Sequence, residues 1–115
     1  MQLPRDAALL RIFIGEDDKH GNVPLYEAIV LKAREMQLAG ATMLRGPMGF
    51  GHSSHLHTTK ILRLSQDLPI VIEIVDSREK IDAFLPALGD MIGSGLVTLE
   101  KVQVIQYGPN PTTGA

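Results

Sequence analysis

Apolar and β-branched residues mark four stretches of the chain with the patterns of strands. These stretches are residues 7–15, 41–45, 68–75 and 96–107. Apolar positions repeat every three to four residues in two further segments, which predicts a helix from near Asn22 to Gly40 and a second helix after Asp76. The predicted order is therefore strand, helix, strand, strand, helix, strand.

Local features refine this order. Asp76 and Glu79 have the spacing of a helix cap with a carboxylate three residues on, and Pro86 predicts a kink in the second helix. The apolar positions of the last strand change phase near Glu100 and Lys101, which predicts a β-bulge. Proline, glycine and threonine then predict a flexible tail over residues 108–115.

Two strand–helix–strand units with right-handed crossovers predict an α+β protein, a ferredoxin-like βαββαβ sandwich with an antiparallel sheet. A single domain would cover residues 1–107. The first and third strands are neighbours in this topology, so we expect a cross-strand pair between Arg11 and Glu73. Two helices cover only one face of the sheet, and the other face also carries apolar residues, so we expect the protein to self-associate.

Composition narrows the possible functions. The 115 residues are 44% apolar and 21% charged, as in one globular domain. Cysteine is absent, which excludes disulfides and thiolate metal ligands. The net charge of −2 supplies no basic field for nucleic acid. No apolar run approaches the roughly 20 residues of a membrane span, and no apolar leader follows Met1, so we expect a cytoplasmic protein.

Two glycine-rich segments are candidates for anion binding. Residues 41–66 contain Arg45, Lys60 and Arg63 but no Asp or Glu, and they hold glycines at 46, 49 and 51. Glycine lets backbone N–H groups approach a ligand and form an anion-binding hollow. The turn Gly93-Ser94-Gly95 is a second candidate. Ordinary tight turns are the alternative for both segments.

These segments also resemble parts of a known family. GATMLR at 40–45 followed by GFG at 49–51 is similar to the strand that leads into the T-loop of PII signalling proteins, and GSG at 93–95 resembles their B-loop. An uncharacterised branch of PII-like proteins is more similar still, through LRIFIGE (10–16), PLYEA (24–28), LRG (44–46), KIL (60–62) and VD (75–76). The resemblance covers about residues 9 to 107.

The resemblance implies a signalling homotrimer, not an enzyme, that binds adenine nucleotides (AMP, ADP or ATP) in the clefts between protomers. A nucleotide would order the T-loop, about residues 46–60, and so change the surface offered to a partner, with a membrane transporter or channel as the class that the family suggests. The implied nucleotide-binding residues are Arg45, Gly46, Met48, Gly49, Phe50, Gly51, Gly93, Ser94 and Gly95.

Two departures from the PII pattern bear on the ligand. PII proteins follow the B-loop with a lysine that meets the phosphates, and Leu96 stands in that place here. Residues 46–67 contain no tyrosine, so the uridylylation of some PII proteins has no acceptor. We therefore favour AMP or ADP over ATP.

Other chemistries stay open on the sequence alone. His52, His55 and His57 form a candidate site for a divalent metal, with exposed loop histidines as the alternative. The run Glu16-Asp17-Asp18 offers carboxylates to a hard cation or forms a solvated loop. A small cofactor-free oxygenase or isomerase of the same fold is a third class, although the sequence has no Gly-x-Ser-x-Gly elbow and no Walker lysine.

Overall fold

The computed structural model describes residues 3–51, 54–57 and 67–112, and within them it contains the predicted order of elements. The long strands and helices are β1 (Asp6–Gly15), α1 (Leu25–Glu35), β4 (Thr42–Arg45), β7 (Pro69–Asp76), α2 (Arg78–Met91) and β8 (Leu96–Gln103). The short strand pairs are β2 (Lys19–His20) with β3 (Val23–Pro24), β5 (Gly49–Gly51) with β6 (Ser54–His57), and β9 (Gln106–Tyr107) with β10 (Asn110–Pro111).

The main sheet is antiparallel and has the strand order β4-β7-β1-β8. Two strand–helix–strand units placed side by side produce this order, so the predicted ferredoxin-like fold is confirmed. The predicted cross-strand pair is also present, because Arg11 lies directly opposite Glu73 and its Nε donates to Glu73 Oε2 at 2.9 Å.

The core lies between the sheet and the two helices. Alternate residues of β1 and β7 point towards the helices, as the period of a strand requires. Leu10, Ile12 and Ile72 are fully buried there and pack with Ile29 of α1 and Phe84 of α2. This face matches the apolar pattern from which the strands were predicted.

The start of α2 differs from the prediction by one residue. Ser77, not Asp76, is the N-cap, and its hydroxyl accepts a hydrogen bond from the Lys80 N–H at 3.1 Å. Asp76 is 3% exposed and instead accepts hydrogen bonds from the N–H groups of Ala39 and Ser77. Its carboxylate is therefore occupied in joining β7 to the segment before β4. The helix continues through Pro86.

The predicted bulge in the last strand is wrong. β8 pairs with β1 in one unbroken register along its whole length. The change of phase has another cause: Leu99 lies opposite Leu10 on the helix-covered face, whereas Val102 lies opposite Ala7 on the other face. Apolar residues therefore move from one face of the sheet to the other along a regular strand.

Both ends of α1 and the end of β8 lie inside their predicted limits. Pro24 is the N-cap of α1, which ends before Gln37, a residue with φ 62°, and so before Gly40. After β8 the chain forms the β9–β10 hairpin, and the Thr112 N–H donates to the Ile105 carbonyl at 3.0 Å. The chain is thus folded back through residue 112, where the sequence predicts a longer strand and a flexible tail.

Candidate ligand site at one end of the sheet

The predicted T-loop leaves the sheet at Arg45, the last residue of β4. The next N–H, that of Gly46, donates to the Pro69 carbonyl at 2.8 Å and fixes the base of the loop against β7. The Arg45 side chain is 45% exposed, and its Nη2 lies 2.7 Å from Glu16 Oε2. Arg45 is therefore an accessible cation at the base of the loop.

Glu16 is a functional candidate that stands out in the sequence only as part of the acidic run Glu16-Asp17-Asp18. Its side chain is 17% exposed, and its backbone N–H donates to the Leu68 carbonyl at 2.8 Å. The second carboxylate oxygen, Oε1, is buried without a hydrogen-bond partner among the described residues. The sheet topology could have identified this pair, since β1 and β4 finish at the same end of the sheet. Glu16 directly follows β1, and Arg45 is the last residue of β4.

The first glycines of the loop have a packing role beside Pro69. A Cβ on Gly46 would lie 3.0 Å from Pro69 Cγ, and one on Gly49 would lie 3.1 Å from it. Met48 and Phe50 are 60% and 74% exposed. Of the predicted loop residues, Arg45, Met48 and Phe50 therefore present side chains to a ligand or partner, whereas the Gly46 N–H is engaged in the fold.

The predicted B-loop turn, residues 93–95, connects α2 to β8. Gly95 fits closely on β1, because a Cβ there would lie 2.8 Å from the Phe13 carbonyl oxygen. Gly93 has no described atom within 4 Å of the position of a Cβ. Close packing therefore accounts for the glycine at 95, and the open space beside Gly93 leaves room for a ligand.

The two predicted halves of the site lie at the same end of the sheet but at opposite edges. Arg45 pairs with Ile70 on β7, and Leu96 pairs with Phe13 on β1. With β7 and β1 between them, β4 and β8 are three strand spacings apart, about 14 Å. One protomer therefore does not bring the T-loop base and the B-loop turn together.

The sheet face opposite the helices has an apolar row and a polar row. Cross-strand partners share a face, so the register defines both rows. The apolar row, nearer the T-loop, is Leu44, Val71, Phe13 and Leu96, and the polar row is Thr42, Glu73, Arg11 and Thr98. The two helices pack on the other face, and no described helix covers these rows, as predicted from the sequence.

Arg11 and Glu73 of the polar row form a charged group with Glu100, which lies opposite Leu9 in the neighbouring row. Arg11 donates to Glu73 and also to Glu100, with Nη1 to Oε1 at 2.6 Å. The hydrogen bond to Glu73 raises the pKa of the Arg11 guanidinium above its usual value. The guanidinium thus stays charged at neutral pH and joins three strands on the uncovered face.

The acidic loop after β1 is held by hydrogen bonds to its own backbone. Asp18 Oδ2 accepts from the Gly15 N–H, and Asp67 Oδ1 accepts from the Asp17 N–H, both at 3.0 Å. Among the described residues no group of three or more His, Asp or Glu side chains could hold a metal ion. This arrangement favours a structural loop over a cation site.

The histidine hypothesis receives no test from the structure. His52 lies outside the described residues, and His55 and His57 are described only as backbone of β6. Metal binding by these histidines stays a prediction. In the part of the chain that the structure describes, neither helix has the length and apolar character needed to cross a bilayer.

The fold is that of PII-like proteins. A putative PII-like signalling protein from Thermus thermophilus aligns with a TM-score of 0.63 and 18% identity over 90% of this chain and 93% of the other. CPII, a nitrogen regulatory PII-like protein from Thiomonas intermedia solved with ADP, AMP and bicarbonate, aligns with a TM-score of 0.57 and 18% identity over 86% and 88%.

Sequence comparison defines the family within this class. The DUF190 family, described as "Uncharacterized ACR, COG1993", matches residues 7–104, and the chain belongs to it. A UPF0166 protein of Aquifex aeolicus is 40% identical over 84% of this chain and 91% of its own length. A UPF0166 protein of Methanocaldococcus jannaschii is 33% identical over 85% and 91%. The prediction of an uncharacterised family with the fold of PII-like proteins is confirmed.

Proposed function

We propose that this protein is a regulatory homotrimer that binds an adenine nucleotide in each cleft between neighbouring protomers. The observation that carries the proposal is the placement of the two site segments at one end of the sheet but at opposite edges. A cyclic assembly sets one edge of a protomer beside the opposite edge of the next. Such a contact unites the Arg45 side of one protomer with the Gly93–Gly95 turn of its neighbour.

The uncovered sheet face supports the assembly. Leu44 and Leu96 are 50% and 56% exposed at the two edges of its apolar row. Burial of such a row against copies of itself removes apolar area from water, which favours association. The proposal of three protomers per ring comes from the resemblance to PII proteins. Closed rings of identical contacts are a usual form of a homo-oligomer.

The ligand class is supported by the residues at the loop base and by the fold neighbour. Arg45 offers guanidinium donors to a phosphate, and CPII was solved with ADP and AMP. We propose AMP or ADP in preference to ATP, since Leu96 replaces the lysine that meets the phosphates in PII proteins. The protein would act by binding, without catalysis.

The proposed output is the surface of the T-loop, about residues 46–60. A nucleotide that contacts Arg45 acts on the residue from which this loop leaves the sheet. Met48 and Phe50 are exposed near this base and would offer apolar contacts to a partner. A membrane transporter or channel is the partner class that the family resemblance suggests.

Calorimetry tests the nucleotide. We expect AMP and ADP to bind the wild type with one site per protomer, and Arg45→Ala to weaken binding at least about tenfold, the scale of a charge-assisted hydrogen bond. Arg34→Ala, which removes an exposed arginine from α1, is the matched control and should bind normally. Absence of nucleotide binding by the wild type would refute the proposal.

A further inference from the structure

Glu16 contacts the chain on both sides of the predicted T-loop, before it at Arg45 and after it at Leu68. Its backbone N–H binds the Leu68 carbonyl on the returning end, and its carboxylate binds Arg45 on the departing end. The carboxylate is mostly buried, and Oε1 has no hydrogen-bond partner among the described residues. Arg45 is therefore the cation that balances an otherwise poorly compensated negative charge.

A phosphate bound at Arg45 would share that cation with Glu16. The guanidinium has five N–H donors, so it can keep Nη2 on Glu16 while other donors face the ligand. The two anions would then lie on opposite sides of one guanidinium, about 6 Å apart. Their repulsion grows with the charge of the ligand.

We infer, as a development of the proposed nucleotide site, that Glu16 is a specificity-determining residue whose negative charge disfavours ligands with more phosphates. Asp17, Asp18 and Asp67 belong to the same end of the sheet and strengthen its negative character. Glu16 differs from them in its ion pair with Arg45. The carboxylate thus selects a nucleoside monophosphate over a triphosphate through charge.

Glu16→Gln separates this role from simple positioning. The amide keeps the shape of the side chain and an oxygen that can accept from Arg45, but it removes the charge. If Glu16 selects by charge, the substitution raises affinity, and more so for each added phosphate. If Glu16 only positions Arg45, the substitution leaves the affinities for AMP, ADP and ATP unchanged or lowers all three equally.

The expected effect is measurable by calorimetry. Two unit charges about 6 Å apart at an effective dielectric of about 20 shift an equilibrium roughly a hundredfold. Salt and the exposure of Arg45 reduce this, so we expect Glu16→Gln to raise the affinity for ATP about tenfold and for AMP about threefold or less. Titrations are made without Mg²⁺, because the ion neutralises phosphate charge. Glu35→Gln, which removes an exposed carboxylate from α1, is the control and should change nothing.

Inorganic phosphate, pyrophosphate and triphosphate form a second arm of the experiment. They provide the same increase of charge without adenosine, and binding is followed by the NMR shift of the Gly46 amide. In this arm, a gain in affinity from Glu16→Gln that grows with the charge of the phosphate ligand supports the inference. If no nucleotide binds, this result still supports the inference, and only the proposed function fails. If the wild type binds nucleotide but Glu16→Gln has the same effect on ligands of different charge, the inference is overturned and the proposed function stands. Failure of the wild type to bind either series overturns both.

Discussion

Leu44 and Leu96 stand at the two edges of the apolar row on the uncovered sheet face, and each is about half exposed in the protomer, at 50% and 56%. We predict that Leu44→Glu or Leu96→Glu converts the proposed trimer to monomers. Leu31→Glu should not do so, because Leu31 is 55% exposed on α1, away from this face. The three leucines match in size and exposure, which makes Leu31 a close control.

The expected shift in the association equilibrium follows from the exposed leucine area that assembly would bury. Full burial of a leucine side chain contributes about 2 kcal/mol, so the exposed half contributes about 1 kcal/mol in each protomer and about 3 kcal/mol in a trimer. A glutamate at the same place adds several kcal/mol, because its charge would be buried without a partner. One substitution should therefore shift the association equilibrium by more than about a hundredfold.

Sedimentation equilibrium over a range of protomer concentrations measures this shift. Circular dichroism should show that Leu44→Glu and Leu96→Glu keep the fold, since neither side chain lies in the core. A trimer that persists in both variants, or that dissociates equally in Leu31→Glu, would contradict the assignment of this face to the interface. A monomeric wild type would contradict self-association itself.

Three further predictions concern stability and are measured by urea denaturation. Gly95→Ala should destabilise the protomer by about 1–3 kcal/mol, because the new Cβ would contact the Phe13 carbonyl oxygen of β1. Gly93→Ala, the control, should change the free energy of unfolding by less than about 0.5 kcal/mol. Equal effects of the two substitutions would show that the close approach at Gly95 is unimportant. Ser77→Ala should lower the free energy of unfolding by about 1 kcal/mol, because the N-cap bond to Lys80 is lost, and no loss would argue against that cap. Phe84→Ala should cost about 3–5 kcal/mol, since Phe84 is fully buried in the core; a cost below about 1 kcal/mol would contradict that packing.

The sequence was sufficient for the main elements because their patterns are long and each has one buried face. The apolar alternation of β1 and the β-branched run of β7 located both strands, and Arg11 with Glu73 gave their relative alignment. Arg11 and Glu73 each interrupt the apolar run of their strand, and two such residues of opposite charge become a pair once the strands are neighbours. The ferredoxin-like strand order followed from the order of strands and helices along the chain.

Local features were harder to predict because several structures share one pattern. A change of phase in the apolar pattern of a strand can arise from a bulge, or from apolar residues that move to the other face of a regular strand. The second case holds in β8. Asp76 and Ser77 are both good caps, and the choice depended on Ala39, which lies far away in sequence and takes the Asp76 carboxylate. Tertiary contacts decide such cases.

The site was predictable only in part. Arg45 and the glycine segments were found from local charge and composition, and their joint role came from family resemblance. The pairing of Arg45 with Glu16 depends on which strand ends share one end of the sheet. The separation of Arg45 from Gly93 by two intervening strands could be seen only from the strand order, and that separation is the reason why we propose a site between protomers.

Subunit mixing tests the shared site most directly. Arg45→Ala should abolish one side of the cleft, and Gly93→Glu should block the other side while leaving the fold intact, because Gly93 has no described atom near the position of a Cβ. Trimers refolded from an equal mixture of these two variants should regain roughly one nucleotide site in four, since one cleft in four would combine two intact sides. Recovery of no sites by a mixture that forms normal trimers would contradict a nucleotide site shared between neighbouring protomers.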